Sequence, residues 1–216
     1  MLDEHRSFFW LISVGSGRLS SGLVTEYRSW AEELGDRIHF MVLEAPERFN
    51  VSIFEGRSLP DAALIAKQRA WAVQRELNLP SSEVTPWARL RDQIGYSFQR
   101  ERIYAQYNKD RSFERHCLSQ TYSNLQPRFR RVGVDRKTHP KVKIAVNYLL
   151  EELAIKIGVF ENGPFDGEIV PFGEMEVTKR IYSGHYFPCT CRAGGFRVIT
   201  KTALGVSEEL WPIASS

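Results

Sequence analysis

The chain has 216 residues, enough for one well-filled α/β domain. Hydrophobic residues make up 43% and charged residues 25%, the balance of a soluble globular protein, with no low-complexity segment or internal repeat that would argue otherwise. The net charge of +3 permits a nucleic-acid partner without requiring one, and no apolar run approaches a bilayer span, so no membrane is expected and a cytoplasmic location is the default.

Residues 1–6 read as a tail. Phe8-Phe9-Trp10-Leu11-Ile12 is a continuous apolar run that ends at Ser13, with Gly15 and Gly17 close behind. Strand, glycine turn, helix opens a βαβ unit, and ligands in open α/β sheets sit at the carboxyl ends of strands. Ser13 therefore stands where a reactive hydroxyl is useful, although most serines in such places only shape the turn. Leu23, Tyr27, Trp30, Ala31 and Leu34 recur at helical spacing, and Gly35 ends that helix. Residues 37–43 read as a second buried strand. The β-α-β order predicts a right-handed parallel crossover and a single Rossmann-like domain, a mainly parallel sheet flanked by helices. No dinucleotide fingerprint and no phosphate-binding loop with its lysine occur, so neither NAD nor ATP is expected, and no other cofactor.

Residues 44–58 read as a loop containing Pro46 and Gly56. A helix follows to about Leu77, opened by Ser58-Leu59-Pro60-Asp61. Lys67, Trp71 and Arg75 form one stripe on it, with Arg69 beside them. Such a stripe is either a solvated basic face or a surface that follows a phosphate chain. Residues 83–90 suggest a third strand. Residues 94–107 and 112–124 suggest polar helices, and 126–137 a basic loop broken by Pro127 and Gly133.

Thr138-His139-Pro140 opens the clearest helix, which the pattern carries to Ile157 with Gly158 closing it. Val142, Ala145, Val146, Leu149, Leu153 and Ile157 form its core face. Tyr148 and Glu152 lie one turn apart on a neighbouring stripe with Ile144 and Ile155. Residues 168–178 and 196–202 read as late strands, separated by a turn-rich stretch over 183–195. Residues from 206 onward read as a short helix and a tail. Cys117, Cys189 and Cys191 are an odd set with no secretion signal, so reduced thiols are expected. Cys189-Thr190-Cys191 near His185 lacks the spacing and the second pair that zinc requires, and no metal site is assigned.

Ile12-Ser13-Val14-Gly15, then Glu55-Gly56-Arg57-Ser58 before a basic helix, then Tyr148-x-x-x-Glu152, appear in that order. Together they resemble the tRNA-dependent cyclodipeptide synthases over residues 7–78 and 138–178. Val170-Pro171 is similar to a Val-Pro before the family's pocket-lining segment. Val177 and Thr178 stand where bacterial members carry Tyr followed by His or Pro, and Ser16 where one bacterial group has Asn. Tyr182 and His185 are candidates to replace that Tyr. In length and divergence the chain resembles the fungal, arginine-containing branch.

The resemblance implies a fold similar to the catalytic domain of class I aminoacyl-tRNA synthetases, and a monomer. It implies catalytic roles for Ser13, Tyr148 and Glu152. It implies substrate contacts from Gly15, Ser16, Ile155, Glu174, Met175 and Glu176, and tRNA contacts from Arg57, Lys67, Arg69 and Arg75. Arginyl-tRNA would be one of two aminoacyl-tRNA substrates. Period-two spacing puts Glu174 and Glu176 on one strand face, where a carboxylate suits a guanidinium; both are equally suited to face solvent. Aminoacyl-tRNA is already an activated ester, which requires no ATP. The rival readings are a non-catalytic tRNA or aminoacyl-tRNA binding module on the same sheet, and a serine esterase, which lacks its nucleophile elbow here.

Overall fold

The computed structural model describes residues 5–14, 19–173, 175–186, 188, 196–203 and 205–211. Strand β1 (Ser7–Ile12) lies inside a five-stranded sheet of order β2-β1-β3-β4-β5. It pairs in parallel with β2 (Arg37–Val42) and β3 (Gly167–Ile169). β3 pairs in parallel with β4 (Phe196–Thr202), and β5 (Gly205–Trp211) closes the sheet antiparallel to β4. Both faces of β1 are apolar because both are covered. Phe8, Trp10 and Ile12 join one core with Val24, Tyr27 and Ala31 of α1 (Ser21–Glu33). Phe9 and Leu11 belong to a second core built around α7 (Pro140–Asn162). α1 begins where the Ser20 hydroxyl accepts from the Leu23 N–H, 3.2 Å. No helix among the described residues is long and apolar enough to cross a membrane.

The mainly parallel sheet flanked by helices agrees with the expectation, but several elements differ. Residues 44–58 hold a helix, α2 (Glu44–Glu55), in place of the expected loop. Pro46 sits in its first turn, where the missing N–H has no intrahelical partner to lose. Gly56 ends it at φ 67°, a conformation that glycine adopts without strain. α3 (Leu59–Glu76) follows as expected, with Ser58 capping the Asp61 N–H. The strand expected over 83–90 is reduced to a bridge between Phe40 and Val84. Phe40 N–H donates to Glu83 O at 2.8 Å and Thr85 N–H to Phe40 O at 2.8 Å, after which Pro86 turns the chain into α4 (Trp87–Gln93).

The two expected polar helices are present as α5 (Tyr96–Lys109) and α6 (Arg111–Arg131), but α6 runs on through Pro127 over the expected basic loop. α7 continues through Gly158 to Asn162, with Gly163 as its cap. The strand expected over 168–178 is three residues long, and α8 (Glu176–Tyr182) follows it. The C-terminal segment is strand β5 where a helix was expected: Gly205, at φ 123°, turns the hairpin, and Arg197 Nε donates to Glu208 Oε1 across it at 2.5 Å.

Candidate active site

Ser13 follows β1 at its carboxyl end. Side chains alternate along a strand, so Ser13 shares the face of Phe9 and Leu11 and looks toward α7. There its Oγ lies 2.8 Å from the Tyr148 hydroxyl oxygen, a hydrogen bond between residues 135 apart in the chain. Both side chains are half-buried. Burial is the main cause that pushes the Tyr148 phenol well above its ordinary pKa. The charges of Glu152 and Glu47 act in the same direction, opposed by the Ser13 hydrogen bond and by Arg128. The phenol is therefore neutral at physiological pH and keeps its proton for Ser13 or for a substrate.

α7 repeats this stripe. Glu152, half-buried, is one turn beyond Tyr148, and Lys156 is one turn beyond Glu152. Lys156 forms a buried ion pair with Glu168 of β3. The Tyr182 hydroxyl of α8 donates to the other oxygen of Glu168 at 3.1 Å. Tyr182, a candidate to replace the pocket tyrosine, is thus committed to the core below the site. His185 is exposed, its ring edge-on to Tyr186 at 4.9 Å between centroids.

α2 adds groups that sequence reasoning missed. It starts directly after β2 and packs on α7. Glu47 is 1% and Asn50 4% exposed, and Asn50 Nδ2 donates to Glu47 Oε2 at 2.8 Å. Burial raises the Glu47 carboxyl above the usual range; the Asn50 bond and the charges of Arg128 and Arg69 partly offset this. The Arg128 guanidinium of α6 lies over the Phe54 ring, 4.2 Å from its centroid, and burial lowers its pKa. The available signal was helical spacing of Glu47, Asn50, Val51 and Phe54, which Pro46 disguised as loop.

The other expected site residues are dispersed. Gly15, Ser16 and Glu174 lie outside the described residues, as do Cys189 and Cys191. Ile155 is 1% exposed and packs in the α7 core. Met175 caps α8, and its sulfur accepts from Asn124 Nδ2 of α6 at 3.7 Å. Glu176 is exposed in the first turn of α8 and pairs with Arg180, 2.9 Å. The strand face that Glu174 and Glu176 were expected to share is absent, because Glu176 begins a helix. Val177 and Thr178 are buried in it.

Arg57 is exposed in the turn between α2 and α3. Lys67 and Arg75 are exposed on α3, and the Lys67 ammonium lies 5.3 Å from the centroid of Trp71, itself 55% exposed. Trp71 and Arg75 line a groove of about 720 Å³ with Gln68, Gln74 and Asn78. Arg69 leaves this stripe: it turns to α2 and pairs with Glu55 at 2.7 Å.

No family model matches the chain, and no curated protein matches it. Solved structures do. A cyclodipeptide synthase from Fluoribacter dumoffii is 16% identical with a TM-score of 0.70, over 94% of this chain and 90% of that one. AlbC, a cyclodipeptide synthase from Streptomyces noursei, is 16% identical with a TM-score of 0.60, over 92% and 96%. A Mycobacterium tuberculosis protein, whose structure demonstrates that cyclodipeptide synthetases are related to type I tRNA synthetases, is 14% identical with a TM-score of 0.52, over 77% and 72%. The mainly parallel sheet, its flanking helices and these likenesses give this chain the fold of the cyclodipeptide synthases.

Proposed function

We propose that the protein is an aminoacyltransferase that joins two aminoacyl-tRNA cargoes into a cyclodipeptide, with arginyl-tRNA as one substrate. The observation that carries this reading is the 2.8 Å contact between Ser13 and Tyr148 at the carboxyl end of β1, on this fold. Ser13 Oγ attacks the aminoacyl ester carbonyl. The Oγ–carbonyl bond forms, the bond to the tRNA ribose oxygen breaks, and the serine proton passes to that departing oxygen. Backbone N–H groups of the glycine-containing stretch that follows Ser13 in the sequence would stabilise the oxyanion, a contribution on the order of 3 kcal/mol per donor in comparable sites.

Glu152 and the Tyr148 hydroxyl hold the α-ammonium of the bound aminoacyl group. The free amine then attacks the second aminoacyl ester and releases the second tRNA, leaving a dipeptide on Ser13. The dipeptide's own amine attacks the serine ester, closing the ring and freeing Oγ, while Tyr148 relays the proton. Ile155 and Met175 border the acyl group, and Glu174 and Glu176 are the carboxylates of the segment that follows β3. Arg57, Lys67, Arg69 and Arg75 meet the tRNA backbone.

The test is product mass in cells that express the chain. Wild type yields cyclodipeptides containing arginine, and Ser13→Ala yields none while still binding tRNA. Turnover by Ser13→Ala would remove the nucleophile. Retained tRNA binding by wild type with no product and no Ser13 adduct would point to a non-catalytic binding module.

A further inference from the structure

The mechanism above leaves Glu47 unused, and its burial demands an explanation. A carboxylate 1% exposed to solvent is costly unless cations or donors surround it. Its partner is one neutral amide, Asn50 Nδ2 at 2.8 Å, and no described Lys, Arg or His reaches it within ion-pair distance. That hydrogen bond fixes which way the Asn50 amide faces. Asn50 Oδ1 is then buried with no hydrogen-bond partner. An orphaned buried acceptor is uncommon in a native protein and costs stability until a donor fills it.

Glu47 and Asn50 are joined through the Asn50 amide N–H, one turn apart, which leaves the carboxylate with a single neutral donor and Asn50 Oδ1 with none. α2 packs on α7, the helix that carries Tyr148, and the charges of Glu47 and Arg128 both reach the Tyr148 phenol. Of the nearby arginines, Arg69 is paired with Glu55, while Arg128 lies over the face of Phe54 and acts on Glu47 through its charge. A ligand that brings positive charge to Glu47 and a further N–H donor to Asn50 Oδ1 would satisfy both side chains. A guanidinium does so; an ammonium brings the charge at a point.

We propose that Glu47 and Asn50 of α2 are specificity-determining residues that receive a guanidinium carried by the aminoacyl cargo. This rests on reading the Ser13 site as an acyl acceptor, and it makes the α2 carboxylate, rather than Glu174 or Glu176, the one that selects arginine.

The experiment compares product masses from cells expressing full-length wild type and Glu47→Gln, with a thermal melt of each purified protein. The arginine-containing product should fall at least tenfold in Glu47→Gln while arginine-free cyclodipeptides persist. Retention of the arginine product within twofold overturns the proposal. So do wild-type products that lack arginine, and so does a folded Glu47→Gln that makes no cyclodipeptide of any composition, because Glu47 would then serve the chemistry and not the choice. If Glu47→Gln melts below the expression temperature, Asn50→Leu, of similar volume, is judged by the same masses and the same thresholds. A wild type that makes no cyclodipeptide at all sinks the acyl-acceptor reading and the guanidinium site with it, whereas the earlier outcomes leave that reading standing.

Discussion

At the residue scale, the proposed chemistry rests on two hydroxyls and two carboxylates. Tyr148→Phe removes the hydrogen bond to Ser13 and keeps the ring, so stability should change by about 1 kcal/mol, while turnover falls on the order of a hundredfold through the lost proton relay. Product formation in a single-turnover assay, set beside a denaturant titration, separates the two. Burial and the nearby carboxylates raise the Tyr148 pKa, so this phenol introduces no loss of rate up to pH 10; a limb centred near the ordinary tyrosine value would contradict the geometry. Glu47 has the opposite charge logic to a salt-bridged acid. Its folded pKa is raised, so its contribution to stability is full below the unfolded carboxylate range and is lost as pH rises through the folded value. Glu47→Gln should therefore raise the melting temperature at neutral pH, and the gain should shrink as the pH falls to 4. Melts across that range check the sign.

At the element scale, α7 carries the argument. Gly158 lies inside it, where a Cβ would meet Ile94 O at 2.7 Å and Ile94 Cβ at 3.0 Å. Alanine normally helps a helix by up to about 1 kcal/mol over glycine. Here the backbone of α4's C-cap blocks it, so Gly158→Ala should destabilise by about 1–3 kcal/mol. A urea midpoint that rises instead would mean the two helices part easily. The same glycine explains what was legible. Its sequence signal is a helix stop, and only the close approach of Ile94 reveals a packing position. β1, α1, β2, α3 and most of α7 were readable because their apolar periods are unbroken; Ser13 and Tyr148 were singled out by the family resemblance, since alone they read as a turn residue and an amphipathic edge. α2 was not readable, since Pro46 is harmless in a first turn yet looks like a loop, and Glu47 was hidden with it. β5 was hidden because its charged, half-covered face lacks the apolar alternation of an inner strand. Glu174 and Glu176 were paired on a strand that Ile169 ends.

At the scale of the whole molecule, the exposed cations and the buried site occupy different helices of one α2–α3 hairpin. Lys67 and Arg75 sit on the outer face of α3 with Trp71, while Arg69 is tied to Glu55. Lys67→Glu combined with Arg75→Glu should weaken tRNA binding without changing the melt. The slope of log affinity against log salt should flatten by roughly 0.7–0.9 for each phosphate contact removed. Filter binding across a salt series measures it, and an unchanged slope would assign the contacts to another patch. Arg69→Ala should affect the slope less, because its charge is already partly neutralised.

The bond between Ser13 and Tyr148 joins residues 135 positions apart. During synthesis the serine is made long before its tyrosine, so a chain that stops short of α7 holds only one half of this bond. The pairing is therefore set by tertiary folding, in the same event that docks α7 against the carboxyl end of β1.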